Sequence, residues 1–168
     1  MNIILGNVFS LLALVADAIS SSRKTAKGVL GVQAVSQVLY AASSYALRGY
    51  SAAVQSVVSV VRNLAAMREK EQKAVEWILI LLGVVLGLIF NNRGAAGLLP
   101  VIANLEYSLA VFRFKDNERA LKIAFAICIV LFMAFNIVIL NFVGAISNAV
   151  ILGMTILFIV RGGKSEKA

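Results

Sequence analysis

From Leu121 to Val160 the chain reads LKIAFAICIVLFMAFNIVILNFVGAISNAVILGMTILFIV, forty residues whose only charge is Lys122. As one helix this run would be about 60 Å long, twice the roughly 30 Å hydrocarbon core of a bilayer. It must therefore turn back on itself. The polar break Leu140-Asn141-Phe142, with Gly144 just beyond it, is where the turn is expected. The stretch predicts two membrane-spanning helices, Leu121–Leu140 and Val143–Val160.

Five more apolar runs of similar length precede it, separated by charged or glycine-bearing breaks. They predict spans at Ile3–Ile19, Val29–Leu47, Ser51–Met67, Val75–Phe90 and Ala95–Phe112. The chain's 168 residues are 61% hydrophobic and its mean hydropathy is +0.92, far above the roughly half-apolar mix of a soluble domain. The reading is an all-α membrane protein of seven helices, with no room for a second domain.

Positive charge collects on the cytoplasmic side of membrane proteins, whereas negative charge contributes little to orientation. Alternate loops hold Arg23, Lys24 and Lys27; Arg68, Lys70 and Lys73; Arg113, Lys115, Arg119 and Lys122; and Arg161, Lys164 and Lys167. The opposite side holds only Arg48 and Arg93, and Arg62 lies within the third span. Thirteen against two, alternating through every loop, predicts an N-terminus outside and a C-terminus in the cytoplasm. The first span has no basic residue before it, so it reads as a retained helix rather than a cleaved signal.

The net charge of +8 is thus assigned to topology and lipid headgroups, not to nucleic acid, since no aromatic residues interleave with the basic clusters. The chain has no His, and its single Cys128 lies inside an apolar run. Cys–His catalysis, zinc and disulfides lack their raw material. No enzymatic activity, no cofactor and no metal is expected.

The first three spans have a long basic loop after the first, Ser20–Gly28, and a short turn after the second, Arg48-Gly49-Tyr50. The last three repeat that layout with Arg113–Lys122 and Asn141-Phe142. The span between the triplets returns the chain across the bilayer, so the triplets run parallel. The expected organisation is residues 1–70 as one three-helix bundle, 71–94 as a connector helix, 95–161 as a second bundle and 162–168 as a basic cytoplasmic tail. Parallel repeats flanking a midplane site are a transporter plan.

The runs Ala53–Leu64 (AVQSVVSVVRNL) and Gly97–Ile102 (GLLPVI), and the close Ile159-Val160-Arg161, resemble the YgjV family of small bacterial inner-membrane proteins. The resemblance extends over nearly the whole chain in span order. It implies a bacterial inner-membrane location and a three-plus-one-plus-three helical fold like that of the SWEET and PQ-loop superfamily. It does not supply a substrate. The Pro-Gln pair of that superfamily is absent, and Pro100, the only proline, is the one candidate hinge.

Polar side chains inside a span face the bundle or a water-filled path. Gln55, Ser59, Arg62 and Asn63 share one helical face, as do Gln33, Gln37, Tyr40 and Ser44. Asn7, Ser10 and Asp17 mark the first span, Asn104, Tyr107 and Ser108 the fifth, and Asn148 and Thr155 the seventh. Ser10, Ser36, Ser43, Ser56, Ser108 and Thr155 read as hydrogen-bonding glue between helices, and Gly83 and Gly87 as close-packing positions. Gln55, Ser59, Asn63, Asn104, Asn148, Gln37 and Tyr40 are the candidate substrate-binding residues. The SWEET resemblance implies an Asn from the third and the seventh helix beside the substrate, which by position would be Asn63 and Asn148. Asp17, Arg62 and Glu106 fall at similar depths and are expected to form an ion pair or gate.

The expected function is facilitated transport of a small polar, sugar-like metabolite by alternating access. A non-transporting scaffold or accessory subunit is the alternative, and nucleoside or vitamin uptake of the PnuC type a third. The only Trp, Trp77, sits at a span end as an interface anchor. The expected partners are the bilayer and one small solute, and a homo-oligomer is allowed.

Overall fold

The computed structural model describes residues 1–21, 26–66, 73–114 and 118–165. Within them the chain forms seven α-helices: α1 (Ile3–Ser21), α2 (Ala26–Ala46), α3 (Tyr50–Ala66), α4 (Lys73–Ile89), α5 (Leu99–Arg113), α6 (Glu118–Val138) and α7 (Phe142–Ser165). The basic-loop residues Arg23, Lys24, Arg68, Lys70, Lys115 and Lys167 lie outside the described residues. Each predicted apolar run became one helix. Two ends differ from expectation. α5 begins at Leu99 behind a short 3-10 turn, Ala96–Leu98, because Pro100 occupies its first turn. There a missing N–H costs nothing and the fixed φ suits helix initiation. Pro100 therefore stands at a helix start. α7 runs on to Ser165, so the expected tail is helical through that residue.

The α2–α3 and α6–α7 turns are built alike. Arg48 and Leu140 both adopt the left-handed conformation, at φ 57° and 60°. Gly49 N–H donates to Ser44 O and Asn141 N–H to Asn136 O, at 2.7 and 2.8 Å, while Arg48 and Leu140 donate to Tyr45 O and Ile137 O. Both are Schellman closures, which satisfy two carbonyls that a helix end would otherwise leave bare. Position n in the first triplet thus matches n + 92 in the second.

Packing follows the same pseudo-symmetry. α2 packs between α1 and α3, and α6 between α5 and α7. The triplets close on each other through α1 against α7 and α3 against α5, which are equivalent seams under the 92-residue shift. α4 breaks the symmetry by packing against α3 and α5.

Polarity is inverted relative to a protein in water. Large apolar side chains stand exposed on every helix, among them Ile4, Val38, Val57, Leu81, Ile102, Ile137 and Ile146. The interior holds Ser10, Ser36, Ser43, Gln55, Ser59, Asn63, Ser108, Asn141 and Thr155 among small apolar residues. Water-facing surfaces rarely carry apolar patches beyond a few hundred Å², whereas a hydrocarbon solvent imposes this arrangement. Among the described residues, no helix is long and apolar enough to cross a membrane.

At the end carrying Met1 and both Schellman turns, the helices are locked together. Leu47, Ala52, Phe135 and Ile139 form a fully buried apolar cluster with Leu99 beside it. Around it, Arg93 donates to Leu47 O at 2.8 Å and to Arg48 O at 3.0 Å, and Asn92 donates to Arg48 O at 2.8 Å. Asn7 joins α1 to the α6–α7 turn, donating to Leu140 O and accepting from Val143 N–H.

Candidate functional site

The α3–α5 seam, flanked by α4, holds a continuous chain of polar side chains. Arg62 donates through one guanidinium nitrogen to Asn104 Oδ1 at 3.2 Å and to Ser108 Oγ at 3.4 Å. It reaches Ser59 Oγ with the other at 3.5 Å. Asn104 then donates to Gln55 Oε1 at 2.6 Å, and Gln55 donates to the Gly83 carbonyl on α4 at 2.8 Å. A guanidinium can only donate, so Asn104 must turn its oxygen to Arg62 and its nitrogen to Gln55, and Gln55 must turn its nitrogen to Gly83. All the bonds point one way, an arrangement in which each bond polarises the next.

The local sequence explains the closeness of the helices. Gly83 and Gly87, one turn apart, leave the α4 face without side chains where Gln55 and Val101 lie. A Cβ at Gly83 would stand 3.3 Å from Gln55 Oε1, and one at Gly87 would stand 2.6 Å from Val101 Cγ2. Beside this chain lies a cavity of about 30 Å³ lined by Gln55, Arg62, Asn104 and Ser108 on one side and by Glu76 and Leu79 of α4 on the other.

The structure thus brings together four expected site residues, Gln55, Ser59, Arg62 and Asn104, with Ser108, which was expected only as glue. Asn63 is buried further along α3. Tyr40 lies elsewhere, on the α1–α2 interface, where its hydroxyl donates to Asp17 Oδ2 at 3.1 Å. Gln37, a turn before it, and Asn148 on α7 are half-buried and stand apart from the seam. Under the 92-residue shift Asn63 matches Thr155, and Asn148 matches Ser56, so the two asparagines are not symmetry partners.

The expected ion pair among Asp17, Arg62 and Glu106 does not form. The helices that carry Asp17 and Arg62 lie on opposite sides of α2. Each takes a neutral partner instead. Glu106 keeps Oε2 buried without a hydrogen-bond partner, one position past the face that carries Asn104 and Ser108. Ser10 and Ser43 do act as glue, sharing a 2.8 Å bond while Ser43 donates to Gly6 O. Sequence reasoning did not single out Glu76, and it placed Asn7 only in a polar stripe and Arg93 only in an outer loop. Arg93 and Asn7 work on carbonyls at other helix ends, and the signal that could have found them is the shared end at which their loops and turns meet.

A family model described as Imp-YgjV, bacterial inner membrane protein, matches residues 4–166. No curated protein and no solved structure matches the chain.

Proposed function

The chain belongs to the Imp-YgjV family of bacterial inner membrane proteins, and from that premise we propose that it is a transporter of a small polar solute. The carrying observation is the polar chain Arg62–Asn104–Gln55 beside a cavity, held inside a shell of exposed aliphatic side chains. Intramembrane amides and an arginine are costly to hold in hydrocarbon, and they concentrate on solute pathways.

In this reading the seven helices span the bilayer as a SWEET-like three-plus-one-plus-three array, N-terminus outside and C-terminus inside. The helices of 15 to 24 residues correspond to about 22 to 36 Å; the shorter ones would cross a 30 Å core only with their adjoining turns and local thinning of the bilayer. Met1, Arg48 and Arg93 then mark the outer face. The Phe135 cluster with its Arg93 clamp is the outer gate, closed in this state, and the Arg62–Glu76 cavity lies toward the cytoplasm. Residues 1–70 and 95–161 are the moving bundles, and α4 is the connector. No catalytic role is assigned.

A second reading, a non-transporting scaffold, is favoured by one observation: Gln55 and Asn104 already satisfy each other. Purified protein in liposomes separates the two. Saturable, counterflow-competent uptake of a polar solute, reduced by Gln55→Ala, supports transport. No uptake across sugars, amino acids, nucleosides and organic anions overturns it.

A further inference from the structure

Among the described residues, Arg62 and Glu76 are the only charged ones that line the α3–α4–α5 cavity, and they approach it from different helices. Among the described residues neither forms an ion pair. Arg62 makes only long contacts, 3.2 to 3.5 Å, to neutral oxygens, leaving part of its five-donor guanidinium uncommitted. A guanidinium in a lipid-facing bundle is stabilised by a carboxylate, and the opposite wall offers one out of ion-pair reach. Two opposite charges held apart across a cavity whose other walls are mostly apolar, Val58, Leu79, Ile80, Val84, Val101 and Leu105, match a ligand that carries both charges itself.

The size of the gap sets a limit. Its 30 Å³ corresponds to two or three waters at roughly 10–15 Å³ each. Those waters occupy about 60–90 Å³ of liquid, room for a solute of about five heavy atoms. A solute of that size matches this space better than a sugar or a nucleoside does.

We propose that this cavity binds a small zwitterion of glycine size, its carboxylate on Arg62 and its ammonium on Glu76. Asn104 and Ser108 stand beside the carboxylate, and their oxygens already face the guanidinium, so they hold it in place while its free N–H groups take the ligand. Gln55 lies at the closed floor, where Gly83 fixes it. The inference rests on the transport reading for its physiological meaning only, since binding can be measured without transport.

The test is equilibrium binding of radiolabelled glycine to detergent-purified full-length protein, with acetate and methylammonium as competitors that each carry one half of the ligand. Saturable glycine binding is expected, with each competitor at least tenfold weaker. Arg62→Gln and Glu76→Gln should each weaken glycine binding at least tenfold. Glu76 is half-buried at the cavity wall, so its variant reports even where Arg62→Gln fails to fold. Acetate binding as well as glycine, tightened by Glu76→Gln, would overturn the zwitterion in favour of a plain anion. No glycine binding by folded protein would overturn it outright. Glycine bound but not moved across liposomes would support this inference and sink the transport reading. A polyol moved while glycine is not bound would do the reverse.

Discussion

Arg62 on α3 fixes the orientation of Asn104 on α5: the 3.2 Å bond to Asn104 Oδ1 leaves only the Asn104 nitrogen to face Gln55. One cation thereby sets the hydrogen-bond direction through two amides as far as the backbone of α4. The seam is a single unit, and the residues in it should respond to mutation together.

Gln55→Ala and Asn104→Ala should therefore be strongly non-additive. Interhelical hydrogen bonds in membrane proteins average about 0.6 kcal/mol and reach about 1.7. A coupling energy near the upper end is expected here, because each single variant leaves a buried amide without its partner. A double-mutant cycle on detergent unfolding measures it, and simple additivity would show that the 2.6 Å bond carries no net energy.

Gly87→Ala should destabilise by about 1–3 kcal/mol, the usual cost of overpacking, since the new methyl meets Val101 and the Gln55 amide. Gly153→Ala is the control. Nothing lies within 4 Å of its Cβ position, and the helix should gain or stay level. Thermal unfolding of the two variants side by side checks both, and equal melting temperatures would contradict the close α4 packing.

Phe135→Ala removes the largest fully buried side chain and should cost about 3–5 kcal/mol. Ile137→Ala, two residues on and exposed, should cost far less. Guanidinium or SDS titration of both variants gives the comparison.

Arg93→Ala deletes the donors to Leu47 O and Arg48 O and should loosen the Met1 end. In a Cys128→Ser background, a cysteine at Ala52 should react with a membrane-impermeant maleimide several-fold faster once Arg93 is lost. An unchanged rate would mean that the apolar cluster alone seals this end.

The proposed orientation is checked in intact cells with the same reagent. A cysteine replacing Arg48 should label from outside, whereas one replacing Lys164 should label only after permeabilisation. The reverse pattern would invert the topology and place the closed end in the cytoplasm.

Helix number and most helix limits were legible without any structure, because an apolar run bounded by charged or glycine-bearing breaks must satisfy its own backbone hydrogen bonds. The break at Leu140-Asn141 and its counterpart at Arg48-Gly49 were visible as paired interruptions. The polar face of α3 was visible for the same reason: Gln55, Ser59 and Arg62 are too expensive to turn toward lipid. What each of them meets was not legible. Depth along a helix is encoded in residue number, and that alone made Asp17, Arg62 and Glu106 look like partners. Direction around the bundle depends on which helices neighbour which, and apolar runs alike on all sides do not specify it. Tertiary packing set α2 between Asp17 and Arg62, gave Arg62 to Asn104, brought Glu76 to the opposite wall and laid the Arg93 side chain across the end of α2. Sequence thus determined how many helices form and which residues must turn inward. Only the folded bundle decided the pairs, since a hydrogen bond 3 Å long is set by helix azimuth and closeness, which glycines such as Gly83 and Gly87 permit but do not direct.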